Sequence, residues 1–573
     1  MKTRTPAQEQ AVTSTSPTIL VVAGPGAGKT ATTIDRIVHL IDSGVTPRSI
    51  VALTFTNAAA REMEQRLADA RPFCDGQSGL PQPPPLGHCG TLHSFALRML
   101  KQHGGKYGYG DRMSIISPES ANDLLQSKAQ ALGCKMKLDD LLKLKAKGHK
   151  PAEGSRLTVP DTVIASYHQD LKDAGIVDFD ILLTEFARLL EEPDFDGKLE
   201  HYTHLFVDEV QDSAPIDWEI YLTLPMPNKF YVGDPDQAIY GFRGGDLNGM
   251  MWLAKRETTE VIKLEQNFRS HAEICDAAQN LIEHNRGRIE KRTISAKGSG
   301  GQVTRRASAL NEGEELAIVA NAIKEQPTMD IAVLCRTNAM AYSFQQGLTA
   351  AGLPVVLREK LTMPKDWPVA RAFAEFAANP YNDTLAHFYI IARNTAAGAT
   401  PASAKQTAHE SLRMARAAGK SLNAAVLHLP MLSTASGVVE AARIYAISRE
   451  SYMLLSEIVQ TQTGTQASPI ELALALGNRR EQVSEKKTKT GIHCITIHAA
   501  KGREFDAVFL AGWEQEIIPG TRADELEESR RLAYVAITRA RNFVMVTDCQ
   551  TRQTPWGTIA AHCPSQFIGE MSR

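Results

Sequence analysis

The chain has 573 residues, 43% hydrophobic and 22% charged, a composition that suits roughly three to four globular domains with real apolar cores. Its 63 Lys and Arg against 65 Asp and Glu leave a net charge of −2, so no global polycation advertises nucleic acid, and anionic partners must be met by local charge. No apolar run approaches the ~18 residues of a membrane span, and the start of the chain has no apolar signal core, so a cytoplasmic location is expected. The eight cysteines show no C-x-x-C and no spacing with histidine that suits zinc or an iron–sulfur cluster. They are expected to be small buried apolar residues in a reducing compartment.

In chain order, Ile19-Leu20-Val21-Val22 is predicted to be a buried strand, and Ala31 to Ile41 repeats apolar residues at helical spacing. Between them lies Ala23-Gly24-Pro25-Gly26-Ala27-Gly28-Lys29-Thr30. Strand, glycine-rich turn and helix in that order make a phosphate-binding loop, whose backbone N–H groups and helix N-terminus surround an anion. Lys29 is placed to reach the β/γ-phosphates of a nucleotide and Thr30 to hold Mg²⁺. Ala23 stands where the pattern has its first glycine, but Gly24 and Gly26 still let backbone approach phosphate. The segment predicts binding and hydrolysis of ATP or a similar nucleotide.

Pro81-Gln82-Pro83-Pro84-Pro85 can be neither helix nor central strand and reads as an exposed loop. Residues near 94–200 read as mainly helical, with Leu138 to Leu144 in helical repeat and six lysines between Lys135 and Lys150. His204-Leu205-Phe206-Val207 reads as a strand, and Asp208-Glu209 follows it directly. Two acids after a strand are often solvated loop residues, but downstream of a phosphate loop they have chemistry to do. Asp208 completes the Mg²⁺ shell and Glu209 accepts a proton from attacking water. Arg286, Arg288, Lys291, Arg292, Lys297, Arg305 and Arg306 form a second basic stretch, which alone reads as a solvated face. Ile331–Leu334 and Ala507–Leu510 read as strands, whereas residues near 380–485 are Ala-rich and helical. The expected fold is α/β: two lobes with parallel sheets flanked by helices, each carrying a helical insertion.

A series of further motifs gives this order a family resemblance. These are Thr5-Pro6-Ala7-Gln8, Leu53 to Met63, Gly90-Thr91-Leu92-His93-Ser94-Phe95, Val207 to Ser213 and Val232 to Tyr240. They continue as Leu264 to Ser270, Leu334-Cys335-Arg336-Thr337-Asn338, Thr496 to Phe505 and Arg530 to Arg541. The chain resembles the UvrD/Rep/PcrA group of superfamily 1 DNA helicases along nearly its whole length.

The resemblance implies two RecA-like domains: 1–93 with 201–275 and 276–379 with 486–573. It also implies helical insertions at 94–200 and, shortened, at 380–485. It implies that Gln8, Phe268 and Glu504 contact adenine and ribose beside the loop residues Ala23 to Thr30. Arg269 and Arg539 are implied to stabilise the transferring phosphate and Gln237 to sense it. Phe55, His93, Tyr240, Phe242, Arg243, Arg336, Asn338 and His498 are implied to meet single-stranded DNA, with the Lys135–Lys150 run near the duplex.

The implied activity is an ATP- and Mg²⁺-dependent helicase moving 3′ to 5′ on single strands, acting at single-strand/duplex junctions as a monomer or weak oligomer. Two alternatives stay open: a translocase that clears proteins or feeds a partner nuclease, and a nucleotide-switched sensor of DNA ends. DNA repair and antiviral defence, the latter beside an OLD-like nuclease, are contexts in which compact relatives occur. This chain departs from the family in having Ala31 in place of an arginine after the loop threonine and Phe242 in place of tryptophan. About 30 residues follow the last motif.

Overall fold

The computed structural model describes residues 4–71, 83–109, 113–146, 158–193, 195–241, 244–305, 308–326, 330–356, 367–378, 491–520, 525–553 and 558–572, with scattered positions between 389 and 472. Near-continuous apolar runs demand cover on both faces, as in a central parallel strand. The first sheet meets that demand with β1 (Thr18–Ala23), β2 (Ile50–Thr54), β3 (His88–Thr91), β4 (His204–Val207), β5 (Asn228–Gly233) and β6 (Glu260–Leu264). Its order is β3-β2-β4-β5-β1-β6 and every pairing is parallel. Register pairs Leu53 with Val207 and Val21 with Val232, so the carboxyl ends of β1, β2, β4 and β5 share one edge. Loops leaving that edge are where an open α/β sheet builds a ligand site.

Alternation along β1 divides the core. Ile19, Val21 and Ala23 pack with Ile34 and Ile37 of α2 (Lys29–Asp42), while Leu20 and Val22 face the opposite cluster. Arg36 of α2 is buried and donates to the carbonyls of Ala11 (2.8 Å) and Ser14 (3.0 Å), fixing the end of α1 (Pro6–Thr13).

The second sheet contains β7 (Gln302–Arg305), β8 (Ile331–Cys335), β9 (Ile492–Thr496), β10 (Phe505–Leu510) and β11 (Ala540–Val546). Its order is β7-β11-β10-β8-β9, again parallel throughout. Helix α8 (Leu526–Ile537) covers one face, with Leu532, Val535 and Ala536 buried.

Between β3 and β4 stand α3 (Pro118–Ala131), α4 (Leu138–Ala146), α5 (Val159–Asp173) and α6 (Phe179–Leu190). One lysine of the basic run is not solvated. Lys145 is buried, bonding Asp178 (2.6 Å) and Asp180 (2.9 Å) from α6 and its cap, and Tyr167 donates to the same Asp178 (2.5 Å). Lys147 and Lys150 lie outside the described residues. In the second basic stretch, Lys291 is wholly buried and Arg288 nearly so, both paired with carboxylates.

Helix α7 (Trp367–Ala378) sends Val369, Phe373 and Phe376 into the core of the first insertion. Glu375 there accepts from the Ser117 amide (3.2 Å) and the Ser120 hydroxyl (3.1 Å). Most of 380–485, and Pro81-Gln82 of the proline loop, lie outside the described residues. Cys275, Cys335, Cys494 and Cys549 are buried, whereas Cys563 is exposed. Among the described residues, no helix is long and apolar enough to cross a membrane.

Candidate nucleotide and nucleic-acid site

The glycine-rich loop leaves β1 at Ala23, which is fully buried, so a methyl group at this first position is absorbed by the core. The Gly24 amide donates to the Leu264 carbonyl (3.1 Å) and the Phe268 amide to the Gly26 carbonyl (3.0 Å), tying the loop to the chain after β6. Gly26 and Gly28 have φ of +66° and +82°, which side chains other than glycine's rarely tolerate. A Cβ on Gly26 would stand 2.7 Å from the Arg269 Cβ. Pro25 and Ala27 complete the turn. Helix α2 then starts at Lys29-Thr30 with Gly28 as its N-cap and no side-chain cap. Its first amides are left for an external anion.

Gln8 sits against this loop. Its amide NH₂ donates to the Ala27 carbonyl (3.0 Å), and its carbonyl accepts from the Thr5 amide (3.0 Å). Both ends of the amide expected to meet adenine are therefore engaged within the protein.

Asp208 and Glu209 follow β4, and Asp208 is anchored by its amide to the Leu53 carbonyl (2.9 Å). Burial and the neighbouring Glu209 push the Asp208 carboxyl up to about 7. Burial acts the same way on Glu209, yet Lys29, Lys501, the Gln211 amide and Arg539 together hold it at about 2. Glu209 has φ +53°, the one positive value among described non-glycine residues, and strain of this kind persists where surrounding structure imposes it. Gln211 donates to Glu209 (2.5 Å) and Asp212 (3.2 Å) and accepts from the Asp234 amide (2.9 Å).

Two arginines reach this edge, Arg539 from the second lobe and Arg269 from the chain after β6. Arg539 is buried; its guanidinium donates to the side-chain oxygen of Gln237 (3.2 Å), the Thr538 hydroxyl (3.1 Å) and the carbonyls of Val535 (2.9 Å) and Arg503 (3.3 Å). Burial, with Arg269 nearby, lowers its pKa to about 9. Arg269 donates to Glu504 (2.7 Å) and the Thr538 carbonyl (3.1 Å). Glu504 also pairs with Arg541 (2.8 Å), so the carboxylate expected at the ribose bridges two arginines. Phe268 is 44% exposed beside the loop.

Aromatic groups gather at the same sheet edge. Phe55, 41% exposed, stacks on Tyr240 with ring centroids 5.6 Å apart and planes 17° apart. The His498 ring lies 6.4 Å from Tyr240. A cleft of about 210 Å³ runs from Asp208 and Glu209 past Phe55, Asn57 and His93 to Asp217 and Tyr221. His93 packs on Phe179 (5.5 Å), and burial drives its imidazole down to about 4. Arg336 and Asn338 follow β8, and register places them at the same end as His498 beyond β9. Phe242 and Arg243 lie outside the described residues.

Sequence reasoning did not single out Lys501. Its ammonium bonds Asp212 (2.5 Å) and the Gln237 carbonyl (3.0 Å) and lies 4.9 Å from the Tyr240 ring centroid. It touches the acid edge and the aromatic platform at once. The signal was present: Lys501 lies inside Thr496 to Phe505, next to the histidine and glutamate that were chosen.

Two parallel-sheet lobes, one offering a phosphate loop and an acid pair, the other a buried arginine, define a P-loop protein of RecA-like architecture. Residues 4–257 match the UvrD/REP helicase N-terminal domain, and residues 262–365 with 433–551 match the UvrD-like helicase C-terminal domain. The chain belongs to the UvrD-like helicases of superfamily 1. It is 29% identical to the ATP-dependent DNA helicase PcrA of Leuconostoc citreum, over 99% of this chain and 84% of that protein. It is 27% identical to the PcrA of Staphylococcus epidermidis, over 98% and 86%. For the PcrA of Staphylococcus aureus the identity is 26%, over 98% and 85%.

Proposed function

We propose that this protein is an ATP-driven DNA helicase or translocase that moves 3′ to 5′ on single-stranded DNA. The observation that carries the reading is the contact between lobes: Arg539 of the second lobe bonds Gln237, on the same sheet edge of the first lobe as Glu209. An arginine brought against an acid edge from the opposite side suits stabilisation of charge on a transferring phosphoryl group. The loop fits a triphosphate because α2 has no side-chain cap and Gly26 leaves no room for a Cβ. Lys29 and the first amides of α2 bind the phosphates, and Glu209, kept ionised, takes the proton of the attacking water. Thr30 and Asp208 would hold Mg²⁺, which would neutralise phosphate charge. Phe268 offers a stacking face to the base, and Gln8 reads adenine once released from Ala27.

Bases stack on Phe55 and Tyr240, while His93, Arg336, Asn338 and His498 frame the strand. Because Arg539, Gln237 and Lys501 join both lobes at the nucleotide edge, hydrolysis changes the contacts that hold the lobes together, and the grips on DNA alternate.

ATP turnover with and without single-stranded DNA tests the reading, together with displacement of a strand from 3′-tailed and 5′-tailed duplexes. Stimulation by DNA and displacement from the 3′-tailed substrate are expected. Stimulation without displacement would leave a translocase, and absence of both would sink the proposal.

A further inference from the structure

Behind Gln237 lies a cluster of four charges, three of them fully buried, to which the reading above gives no role. Asp234 accepts from the Gln237 side-chain amide through one carboxylate oxygen (2.5 Å) and from Lys291 through the other (2.8 Å). Asp236 is bound by Lys291 and, through both oxygens, by Arg288 (3.1 and 2.8 Å). The Lys291 side chain and both carboxylates are at most 1% exposed.

Lys291 and Arg288 belong to the segment between the Ala272–Ile282 helix and the short strand at Ile294, beyond the last strand of the first sheet and before the first strand of the second. The same ammonium lies 5.8 Å from the Tyr534 ring of α8, and its Cε would stand 3.9 Å from a Cβ on Gly24. Glycine-rich loop, Asp234–Gln237 turn and arginine-bearing second lobe therefore meet around one lysine.

Gln237 has one rotatable amide with two jobs. Its NH₂ is held by Asp234, and its oxygen faces Arg539 (3.2 Å). If Asp234 were free to turn, the NH₂ would lose its charged acceptor and the amide could flip, presenting a donor to an arginine that needs an acceptor. Asp234 is held from turning by Lys291 on its other oxygen, which also accepts from the Asp236 amide (3.1 Å).

We propose that Lys291, braced by Arg288 through Asp236, is a positioning residue for hydrolysis: it fixes Asp234 and thereby the orientation of the Gln237 amide toward Arg539. Lys291 follows the Ala272–Ile282 helix, which packs in the core of the second lobe, so the setting of Gln237 is made from the second lobe across the seam. The inference rests on the ATPase reading above.

The test compares DNA-stimulated ATP turnover in Lys291→Met, Gln237→Ala and the double variant, with nucleotide affinity measured by a fluorescent ATP analogue. Lys291→Met leaves a carboxylate unpaired in the core, so Asp236→Asn/Lys291→Met, which removes one charge of each sign, is run in parallel. Loss of the charge-assisted bond that fixes Asp234 is expected to lower kcat about tenfold or more, with nucleotide affinity within about threefold. In the Gln237→Ala background the lysine substitution should add less than about a twofold further loss, because its route is already cut. A folded variant with wild-type kcat overturns the proposal. So does a loss in the Gln237→Ala background as large as in the wild type, which is how a merely structural lysine behaves. A wild-type protein without ATPase activity would instead sink the underlying reading.

Discussion

Arg539 is held in place at a cost to folding, and removing it should separate stability from activity. Its guanidinium is buried with no carboxylate in salt-bridge range among the described pairs, its bonded acceptors being three carbonyl-type oxygens and one hydroxyl. Burial lowers its pKa from 12.5 to about 9, so near neutrality it is charged in both folded and unfolded chains, and the folded state bears the desolvation. A depression of that size corresponds to a cost on the order of 2–5 kcal/mol, and the lost hydrogen bonds of a methionine variant return part of it. Arg539→Met is therefore expected to be more stable than wild type by roughly 1–3 kcal/mol, a rise in Tm of about 2–6 °C for lobes of this size. At the same time kcat should fall at least about 10³-fold, since a phosphate-directed arginine is worth that much or more. The pH dependence gives an internal check. Between about 9 and 12.5 the unfolded chain keeps the proton that the folded chain has lost, so the wild type gains stability there as pH rises. The advantage of the variant must shrink in that window. Differential scanning fluorimetry of nucleotide-free protein from pH 7 to 10, beside a coupled ATPase assay, measures both. A variant with Tm at or below wild type, or with kcat within about tenfold of it, refutes the account.

Lys29→Ala is expected to abolish turnover by removing the phosphate-directed ammonium. Glu209→Gln should leave nucleotide affinity within about threefold while kcat drops roughly 10²–10⁴-fold; normal hydrolysis would mean that another group accepts the proton. Gly26→Ala combines φ of +66° with a Cβ only 2.7 Å from that of Arg269, so ATP affinity and thermal stability should both fall, as titration and melting will show. Tyr240→Ala and Phe55→Ala each remove a stacking face worth about 1–3 kcal/mol per base, so single-strand affinity by anisotropy should drop several-fold or more. Basal ATPase should change little; equal loss of basal and DNA-stimulated rates would make the rings structural. Affinity should also decline log-linearly with salt as phosphate contacts release counterions, and a flat response would count against the groove.

What was legible in the sequence was local. Ile19–Val22, the glycine-rich turn and the Ala31–Ile41 periodicity are consecutive, and the structure shows Thr18–Ala23 as strand and Lys29–Asp42 as helix. His204–Val207 ending at Asp208 is legible for the same reason. Lysines were misjudged wherever the partner carboxylate was distant in sequence. Lys145 looks like a solvated cation until Asp178, 33 residues on, arrives beneath it, and Lys291 until Asp236, 55 residues back, does the same. Charge composition cannot distinguish a paired buried ion from a free one, because that distinction is made by packing. The carboxylate of Glu504 and the amide of Gln8 were assigned to the nucleotide by family resemblance. Their present partners, Arg269 with Arg541 and Ala27 with Thr5, come from three-dimensional proximity that no spacing rule encodes.

The contacts that close the nucleotide edge share a character that bears on how it opens. Arg539 and Lys501 meet Gln237, Arg531 donates to the Ala238 carbonyl (3.0 Å), and Glu528 accepts from the Gly241 amide (3.0 Å). All four groups come from the second lobe, all are polar, and all land on one short stretch after β5. Each can be exchanged for water at a net cost of about 1 kcal/mol or, for charged partners, somewhat more. Helix α7, by contrast, contributes Val369, Phe373 and Phe376 to the core of the first insertion, and exposing three such side chains would cost roughly 1.5–3 kcal/mol each. Nucleotide turnover therefore acts on a seam that is polar but for Ile239, which packs in the second lobe's core, and whose members also hold the hydrolytic groups. The apolar contact of α7 with the first insertion stays shut on the same free-energy scale.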